Sequence, residues 1–301
     1  TNKEGTFKFN GISSGTYQVV ITMVGYTSAK QNVIVQNKPE TVSMVLGEKQ
    51  IILNEVIIGD KAARAKHLKT FIKYFMGESS NAKACKIINP DVIEFSTTKG
   101  VLMATTPDFL IIENSNLGYS IKYLLKSFSY NTPRDITLYD GDCVFEPLTG
   151  TAEQQGKWNK NRKTTYEGSL MHYLRSVFSN TAHTEGFLTY AIIGNTYPIT
   201  INPNEVPTEQ IVRHLDSNFI AFKYKYRFYT IFDKKKAAKL MTMTDATSEF
   251  IDDLPSNASI LWVDSQIDRR GSYADYKNLL IQGAWGRKRL GDQLPLEYVP
   301  N

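Results

Sequence analysis

The first 46 residues alternate apolar and polar side chains with a period of two, a pattern typical of strands with one buried face. The apolar positions are Phe7 and Phe9, then Tyr17, Val19, Ile21 and Met23, then Val33 and Val35, and finally Val42, Met44 and Leu46. Turns rich in Gly, Ser, Asn and Pro separate these four runs. Short strands at this spacing predict an antiparallel β-sandwich. Because four strands leave open edges, we expect their partners in missing upstream residues or in the rest of the chain.

Residues 47–60, GEKQIILNEVIIGD, predict a junction made of a charged turn and an apolar linker strand. It separates an N-terminal domain, residues 1–46, from a larger domain, residues 61–301. Asp60 is suited to cap the helix that follows, and Gly77 is suited to end it. Helical spacing predicts an apolar face made of Ala65, Leu68, Ile72 and Phe75.

Strand-like alternation returns from residue 92 to residue 148 in five runs with short connections. The runs are VIEFSTT, GVLMATT, FLIIEN, YSIKYLLKSFSY and DITLYDGDCVFEPL. Connections this short do not allow parallel crossovers, so the pattern predicts an antiparallel meander of about five strands. Within the last run, Asp140-Gly141-Asp142 predicts a hairpin turn.

The remainder of the chain predicts one long helix and several strands. Helical spacing extends over residues 152–178, and a short strand is expected over residues 186–192. A long strand, NFIAFKYKYRFYTIFD, is expected next, with further strands near residues 260–263 and 278–281. The fold class is therefore mixed: a partial N-terminal antiparallel β-sandwich, and a larger α+β domain with an antiparallel meander and packed helices.

The amino-acid composition argues against several classes of protein. A hydrophobic content of 42% with 12% aromatic residues is too high for a disordered chain. The net charge of +5 is modest, and the sequence has no dense basic patch of the kind that binds nucleic acid. No run reaches the roughly 20 apolar residues of a membrane-spanning helix. Cys85 and Cys143 fit neither a metal cluster nor a disulfide scaffold; two separate buried thiols are expected, with pairing left open.

The sequence contains no complete set of catalytic or metal-binding residues. The four histidines, His67, His172, His183 and His214, are scattered, and no zinc-binding spacing surrounds them. Asp140 with Asp142, Asp252 with Asp253, and Asp264 with Asp268 are acid pairs that each have a simpler structural interpretation. Nucleotide-binding loops and serine-hydrolase elbows are missing from the sequence. We therefore expect no catalytic residues, no metal and no cofactor.

The densest unusual stretch is WNKNRKTTYEGSLMHYLRSVF, residues 158–178. On a continuous helix, spacings of four, four and three place Trp158, Arg162, Tyr166 and Ser169 on one side. One interpretation is a helix anchored over a sheet by a buried arginine, which requires a carboxylate partner. The other is a polar binding pocket around Arg162. The candidate binding residues are Trp158, Asn161, Arg162, Tyr166, Ser169 and His172.

A second candidate is the cationic row Lys223, Lys225 and Arg227, which alternates with aromatic residues. Period two places the cations and the aromatics on opposite faces of a strand, which argues against base stacking on nucleic acid. A solvated face is one interpretation. Binding of a phosphorylated lipid or an anionic glycan is the other.

The stretch NKEGTFKFNGISSGTYQVVITMVGYTSAKQNVIV resembles the carboxypeptidase-regulatory-like domain, a transthyretin-like β-sandwich. The matching positions are Gly5, Phe7 and Phe9, then Gly15, Tyr17 and Val19, and then Gly25 and Tyr26. The resemblance covers residues 1–46 and lacks the first strands of the family. It implies a module that is generally non-catalytic.

The junction IILNEVIIGD resembles a segment that follows this module in outer-membrane proteins of Bacteroidota, whose plug and barrel do not follow here. The second region is similar to uncharacterised envelope proteins of α+β type. Together these resemblances imply a cell-envelope location, in the periplasm or associated with the outer membrane. The implied partners are other envelope or outer-membrane proteins, with membrane association indirect or through an upstream lipid anchor.

Three functions remain open at this point. The first is a non-catalytic interaction or assembly module, a subunit or accessory of an outer-membrane complex. The second is a hydrolase acting on envelope or dietary glycan or peptide, with Arg162, His172 or an Asp pair in a cleft. The third is a domain that binds an anionic ligand on residues 223–227.

Overall fold

The structure is a computed structural model, and it describes residues 1–21, 23, 26, 29–36, 38–48, 61–194, 198–239, 243–273 and 278–300. The α-helices in these ranges are α1 (Lys61–Phe71), α2 (Ser80–Lys83), α3 (Ala152–Tyr166), α4 (Leu170–Phe178), α5 (Lys234–Ala237) and α6 (Ala284–Arg287). The 3-10 helices are Pro90–Val92, Thr132–Arg134, Thr208–Gln210 and Leu290–Asp292.

The strands form three antiparallel sheets. They are β1 (Gly15–Ile21), β2 (Ala29–Val35), β3 (Cys85–Ile87), β4 (Glu94–Thr98), β5 (Val101–Thr105), β6 (Leu110–Asn114), β7 (Tyr119–Asn131), β8 (Ile136–Pro147), β9 (Phe187–Ile192), β10 (Ile199–Glu205), β11 (Val212–His214), β12 (Phe219–Lys223), β13 (Arg227–Phe232), β14 (Glu249–Ile251), β15 (Ala258–Asp268) and β16 (Leu279–Gly283). The mixed α+β class with antiparallel sheets is therefore confirmed.

The N-terminal segment contains a two-stranded sheet in which β1 and β2 pair from Gly15↔Val35 to Ile21↔Ala29. Both strands were predicted from their alternation. The predictions of strands at residues 7–9 and 42–46 are wrong, since these residues lie outside the strands of the structure. Alternation alone does not make a strand, because a strand also needs a backbone partner. Most of the predicted linker strand and the Asp60 cap, residues 49–60, lie outside the described residues.

The middle sheet has the order β3-β6-β7-β5-β4, with β8 paired to β7. All five predicted runs are strands, but the simple meander is wrong at one step, because β5 pairs with β7 rather than with β6. The 13-residue strand β7 is long enough to hold both neighbours on one side: β6 pairs with its first half and β5 with its second. The other side of β7 pairs with β8 along its whole length.

Asp140-Gly141-Asp142 lies inside β8, so the predicted hairpin turn at this position is wrong. The actual turn is the 3-10 helix Thr132–Arg134, where the Asn131 side chain accepts a hydrogen bond from the Arg134 N–H. The register shifts between Leu125 and Ser127, opposite Gly141. A Cβ at Gly141 would lie 2.3 Å from the Tyr123 ring. The glycine is therefore required by close packing inside the sheet rather than by a turn.

The first predicted helix exists, but its buried face differs from the prediction. A π-helical segment, Ile72–Met76, continues α1 up to Gly77, whose φ is 99°. The wider π turn changes the phase of the helix, so Phe71, Phe75 and Met76 are buried and Ile72 is exposed.

The predicted long helix over residues 152–178 is two helices, α3 and α4. Gly168 interrupts it with a φ of 70°, and a Cβ there would lie 2.5 Å from the Phe232 ring. Ser169 then caps α4 by accepting a hydrogen bond from the His172 N–H. Ser169 therefore does not continue the side of α3 that carries Trp158 and Arg162.

The third sheet has the order β11-β12-β15-β13-β9-β10-β14, with β16 also paired to β15. The predicted long strand is split into β12 and β13, which both pair with β15. Lys223 pairs with Asp264 and Phe228 pairs with Leu261. Between these two pairs the chain advances five residues from β12 to β13 but only three residues along β15. The two extra residues form a bulge at residues 224–226. The strands predicted near residues 260–263 and 278–281 are confirmed as parts of β15 and β16.

Separate apolar cores stabilise the two large sheets. The π-helical end of α1 packs on the middle sheet through a cluster of buried rings: Phe71, Phe75, Tyr123 and Phe128. The third sheet packs against α4 through another set: Tyr173, Leu174, Val177, Phe222, Phe228 and Leu261. Among the described residues, no helix combines the length and apolar character needed to cross a membrane.

Candidate functional site

One side of α3 binds the turn between β6 and β7. Trp158 Nε1 donates to the Ser115 carbonyl at 2.9 Å, and Asn161 Nδ2 donates to the Asn116 carbonyl at 2.8 Å. Arg162 donates through Nε to the Leu117 carbonyl at 2.7 Å and through Nη2 to the Gly118 carbonyl at 2.9 Å. Four successive carbonyls of the turn thus receive donors from three side chains of one helix. Buried backbone acceptors need such partners, so these contacts join the helix to the sheet.

Arg162 has backbone carbonyls as its main partners, where the sequence predicted a carboxylate. Its guanidinium also lies 4.0 Å from the centre of the Tyr119 ring. The carbonyls and the ring face both carry partial negative charge, which explains how the arginine is accommodated without an acidic residue.

A buried amide network extends from this joint. Asn116 Nδ2 donates to Asn81 Oδ1 at 2.6 Å, and Asn81 Nδ2 donates to Thr165 Oγ1 and to Asp292 Oδ1, each at 2.9 Å. Asp292 Oδ2 is buried without a hydrogen-bond partner in the described part of the chain. Lys288 Nζ lies 3.8 Å from the other oxygen of that carboxylate.

His172 lies at the start of α4 with both ring nitrogens hydrogen-bonded. Nε2 is 2.6 Å from Glu185 Oε2, and Nδ1 accepts from the Gly168 N–H at 3.1 Å. Burial lowers the pKa of His172 against the opposing effect of Glu185. The neutral ring therefore donates from Nε2 and accepts at Nδ1. The Glu185 partner was missed because it lies 13 residues away in the sequence.

Tyr166 is buried beside this histidine and beside Tyr298. Its ring centre lies 4.8 Å from that of His172 and 5.7 Å from that of Tyr298. Arg175 extends from α4 and donates to three carbonyls, of Arg270, Leu296 and Tyr298. Tyr166 and Arg175 therefore connect α3 and α4 to residues 296–298, near the end of the described residues.

The three cations of the predicted row have different neighbours. Lys223 Nζ lies 2.6 Å from Asp264 Oδ2, and Arg227 Nη2 donates to the Gly194 carbonyl at 3.5 Å. Lys225 Nζ lies 4.6 Å from the centre of the Tyr226 ring. The prediction that the cations and the aromatics lie on opposite faces is confirmed for Phe222, Tyr224 and Phe228, which belong to the core while Lys223 and Lys225 are exposed. It is wrong at Tyr226, which is exposed at the bulge that interrupts the alternation.

A cleft of about 680 Å³ lies between β8 and the third sheet. Its walls are formed by residues 141–145 of β8, the start of α4, residues 270–273 and residues 288–297, and Tyr17 and Gln18 of β1 contribute to its rim. Leu174 and Trp285, both buried, are among its apolar lining residues.

The charges that line the cleft balance, since its cations Arg270, Lys288 and Arg289 are matched in number by the carboxylates Asp142, Asp292 and Glu297. Arg270 Nη2 lies 3.0 Å from the buried Asp268 Oδ2, and Arg270 Nη1 lies 3.6 Å from Glu297 Oε1. Arg289 forms a side-chain hydrogen bond with Tyr139, while burial raises the pKa of that tyrosine. Opposite charges therefore meet within the cleft, and its ligand need not supply a net charge.

Cys143 lines the cleft, where solvent reaches its side chain although protein atoms surround it. The loss of hydration caused by the surrounding protein atoms, together with the neighbouring carboxylates Asp142 and Glu297, raises the pKa of the thiol to about 12. Cys85 is half-buried, and burial likewise raises its pKa to about 12. Both thiols are free, as the sequence indicated, but Cys143 is exposed and not buried. In the described part of the chain, no three His, Cys, Asp or Glu side chains are grouped as a metal site requires.

The sequence did not identify the cleft because its lining residues range from Tyr17 to Glu297. No local spacing connects such positions. The only available signal was the polar segment DQLPLEY, residues 292–298, which contains several lining residues but has no chemical pattern of its own.

Residues 1–58 match the family model of the CarboxypepD_reg-like domain. This match confirms the resemblance of the N-terminal segment and extends it through the predicted junction. No curated protein and no solved structure matches the chain.

Proposed function

We propose that this chain is a non-catalytic interaction or assembly module of the bacterial cell envelope, a subunit or accessory of an outer-membrane complex. The observation that supports this most strongly is the exposed apolar surface of the N-terminal segment. Six of the eighteen exposed large apolar side chains among the described residues lie in the first 48 positions, which are less than a fifth of the sequence. These are Phe9, Ile12, Met23, Tyr26, Ile34 and Val45.

A two-stranded sheet is too small to bury a core of its own, so such side chains need a partner surface. Ile34 on β2 is 48% exposed and Met23 is 60% exposed. A protein that docks here would remove this apolar area from water, at about 25 cal/mol for each Å² buried. Among the described residues, β1 and β2 pair only with each other, so a partner would be able to add a strand at either outer edge.

The body of the protein holds the hairpin through a cation–π contact. The Arg270 guanidinium lies 4.1 Å from the centre of the Tyr17 ring and is itself paired with the buried Asp268. An anchored hairpin with exposed apolar side chains suits an assembly role better than a flexible one, because less conformational entropy is lost on binding.

The envelope location is supported by the match of residues 1–58 and by the resemblance of the junction to outer-membrane proteins of Bacteroidota. The CarboxypepD_reg-like domain is a regulatory-like and not a catalytic module. Membrane association is proposed to be indirect or through an upstream lipid anchor.

The two alternatives have weaker support. A hydrolase that uses His172 as its general base requires a nucleophile on the ring nitrogen that does not face the carboxylate, whereas Nε2 faces Glu185 and Nδ1 accepts from the Gly168 N–H. An anionic-ligand site on residues 223–227 requires a shared cationic surface, whereas Lys223 is paired with Asp264.

The test is affinity capture from native envelopes with the full chain as bait. Three baits are compared: the unaltered chain, the double variant Met23→Lys and Ile34→Lys, and the control Leu280→Lys at an exposed apolar position of β16. We expect a stoichiometric partner with the unaltered chain and the control, and its loss with the double variant. Absence of a stoichiometric partner, or turnover of a glycan or peptide by the purified chain, contradicts the proposal. Circular dichroism shows whether each bait is folded.

A further inference from the structure

The strand β8 has an open edge along the cleft. It is twelve residues long and pairs on one side with β7. On the other side, no described residue forms a backbone hydrogen bond with Gly141, Cys143 or Phe145. These three residues line the cleft.

The pattern of hydrogen bonds between β7 and β8 shows which backbone N–H and C=O groups of β8 point away from β7. Leu148 N–H donates to the Gly118 carbonyl at 3.0 Å, so this pair, next to Pro147↔Tyr119, is a hydrogen-bonded one. Hydrogen-bonded and non-hydrogen-bonded pairs alternate in an antiparallel ladder. The odd-numbered residues of this part of β8 therefore direct N–H and C=O away from β7. Pro147, which has no N–H, occupies such an outward position, in agreement with this phase.

We propose that the cleft binds an extended peptide segment of a partner protein, which adds a strand to the edge of β8 over residues 141–145. The outward donors and acceptors of Gly141, Cys143 and Phe145 repeat every second residue, or about 6.6 Å along the strand. Another strand has the same repeat, so a peptide backbone can satisfy all three positions at once, whereas a small anion cannot.

The walls of the cleft match this ligand. Alternate side chains of an added strand would point to the apolar residues Leu174 and Trp285 or to the rim. The charges of Arg270 are matched by Asp268 and Glu297, so a segment without net charge is favoured. The five residues 141–145 span roughly 16 Å, which corresponds to a short peptide epitope.

This inference goes beyond the proposed function, since it names a second surface and its ligand. The probe is a displayed library of random decapeptides, selected against the intact chain. For one selected peptide, amide hydrogen exchange of the protein is followed by NMR. We expect new protection of the amides of Gly141, Cys143 and Phe145, while the inward amide of Val144 is already protected in the free protein.

N-methylation of the peptide at single amides provides a second measurement that does not depend on the stability of the protein. Methylation of the amides that face β8 should weaken binding about tenfold each, because each removes one backbone hydrogen bond. Methylation of the alternate amides should have little effect.

The matched protein variants are Cys143→Pro and Cys143→Val. The proline removes the outward N–H without removing a bond to β7, and we expect at least a tenfold loss of affinity. The valine keeps the N–H, and its affinity should stay within about threefold. The inference is contradicted if the library yields no binder, if hydrogen exchange of the three amides is unchanged by the peptide, or if N-methylation of the peptide does not affect its affinity. The hairpin-dependent capture from envelopes can still succeed in those cases, so the two proposals fail separately.

Discussion

The turn-facing side of α3 and the open edge of β8 are both rich in polar groups, but they differ in whether those groups have partners. On α3, Trp158, Asn161 and Arg162 all bond to carbonyls of the β6–β7 turn. On β8, the outward backbone groups of Cys143 and Phe145 face a cleft. Satisfied groups stabilise a fold, whereas unsatisfied groups along a cleft are available to a ligand.

The comparison shows why a conspicuous cluster of side chains can be structural. Arg, Trp and Asn are residues that bind ligands well, and they bind turn carbonyls equally well. The open groups on β8 are backbone atoms, which every sequence contains.

The largest effect is expected for Trp158→Ala. This side chain is buried and packs against Gly118, so its removal leaves a cavity and an unpaired Ser115 carbonyl. We expect a loss of about 3–5 kcal/mol in the free energy of unfolding, measured by urea denaturation. The control Lys160→Ala, on the exposed side of α3, should change stability by less than about 0.5 kcal/mol. Unchanged stability of the tryptophan variant contradicts a structural role.

Arg162→Lys should have a smaller effect of the same kind. Lysine keeps the charge but cannot donate to the carbonyls of Leu117 and Gly118 with the planar fork of arginine. We expect a loss of about 1.5–3 kcal/mol in the free energy of unfolding. Partner capture should be unchanged under conditions where the variant is folded. If the variant no longer captures the partner although its free energy of unfolding is unchanged, Arg162 belongs to the binding surface and not to the structural joint.

Alkylation of Cys143 tests the environment of the β8 edge. The pKa of about 12 leaves far less thiolate at pH 8 than an ordinary cysteine has, partly offset by the greater nucleophilicity of that thiolate. In a Cys85→Ser background, iodoacetamide should react roughly 10–100-fold more slowly with the folded than with the urea-unfolded chain. Equal rates would show that solvent surrounds the thiol.

The smallest effect concerns His172. Its pKa is lowered in the folded state, so the unfolded state binds the proton more readily. Stability is therefore complete above the ordinary histidine pKa, near 6.5, and falls as the pH drops below that value towards the lowered pKa. His172→Gln should reduce this loss between pH 7 and pH 5.5 in thermal melts. An identical pH dependence in the unaltered chain and the variant contradicts the assignment.

The regular part of the fold was predictable from alternation. The strands β1, β2 and β4–β8 were all predicted, although β5 and β6 are short apolar runs between turn residues and do not alternate. The predictions fail where contact with a residue distant in the sequence determines the backbone conformation. Gly168 interrupts the helix where the Phe232 ring, 64 positions later, leaves no room for a Cβ. The register shift beside Gly141 depends in the same way on the Tyr123 ring.

The candidate site was only partly predictable. Helical spacing correctly grouped Trp158, Arg162 and Tyr166. The acceptors for Arg162 are backbone carbonyls, which every residue carries, so the sequence does not indicate them. The cleft depends on strand order and on the ladder phase of β8, and both are properties of pairing between segments and not of any one segment.

The most direct test of the central claim places a photoreactive residue at Ile34, on the exposed hairpin, or at Lys160, on the exposed side of α3. Each variant is irradiated in native envelopes, and the adducts are identified by mass spectrometry. If the exposed β1–β2 hairpin binds partner proteins, Ile34 gives a discrete protein adduct and Lys160 gives none. An adduct at Lys160 alone, or none at either position, contradicts the account.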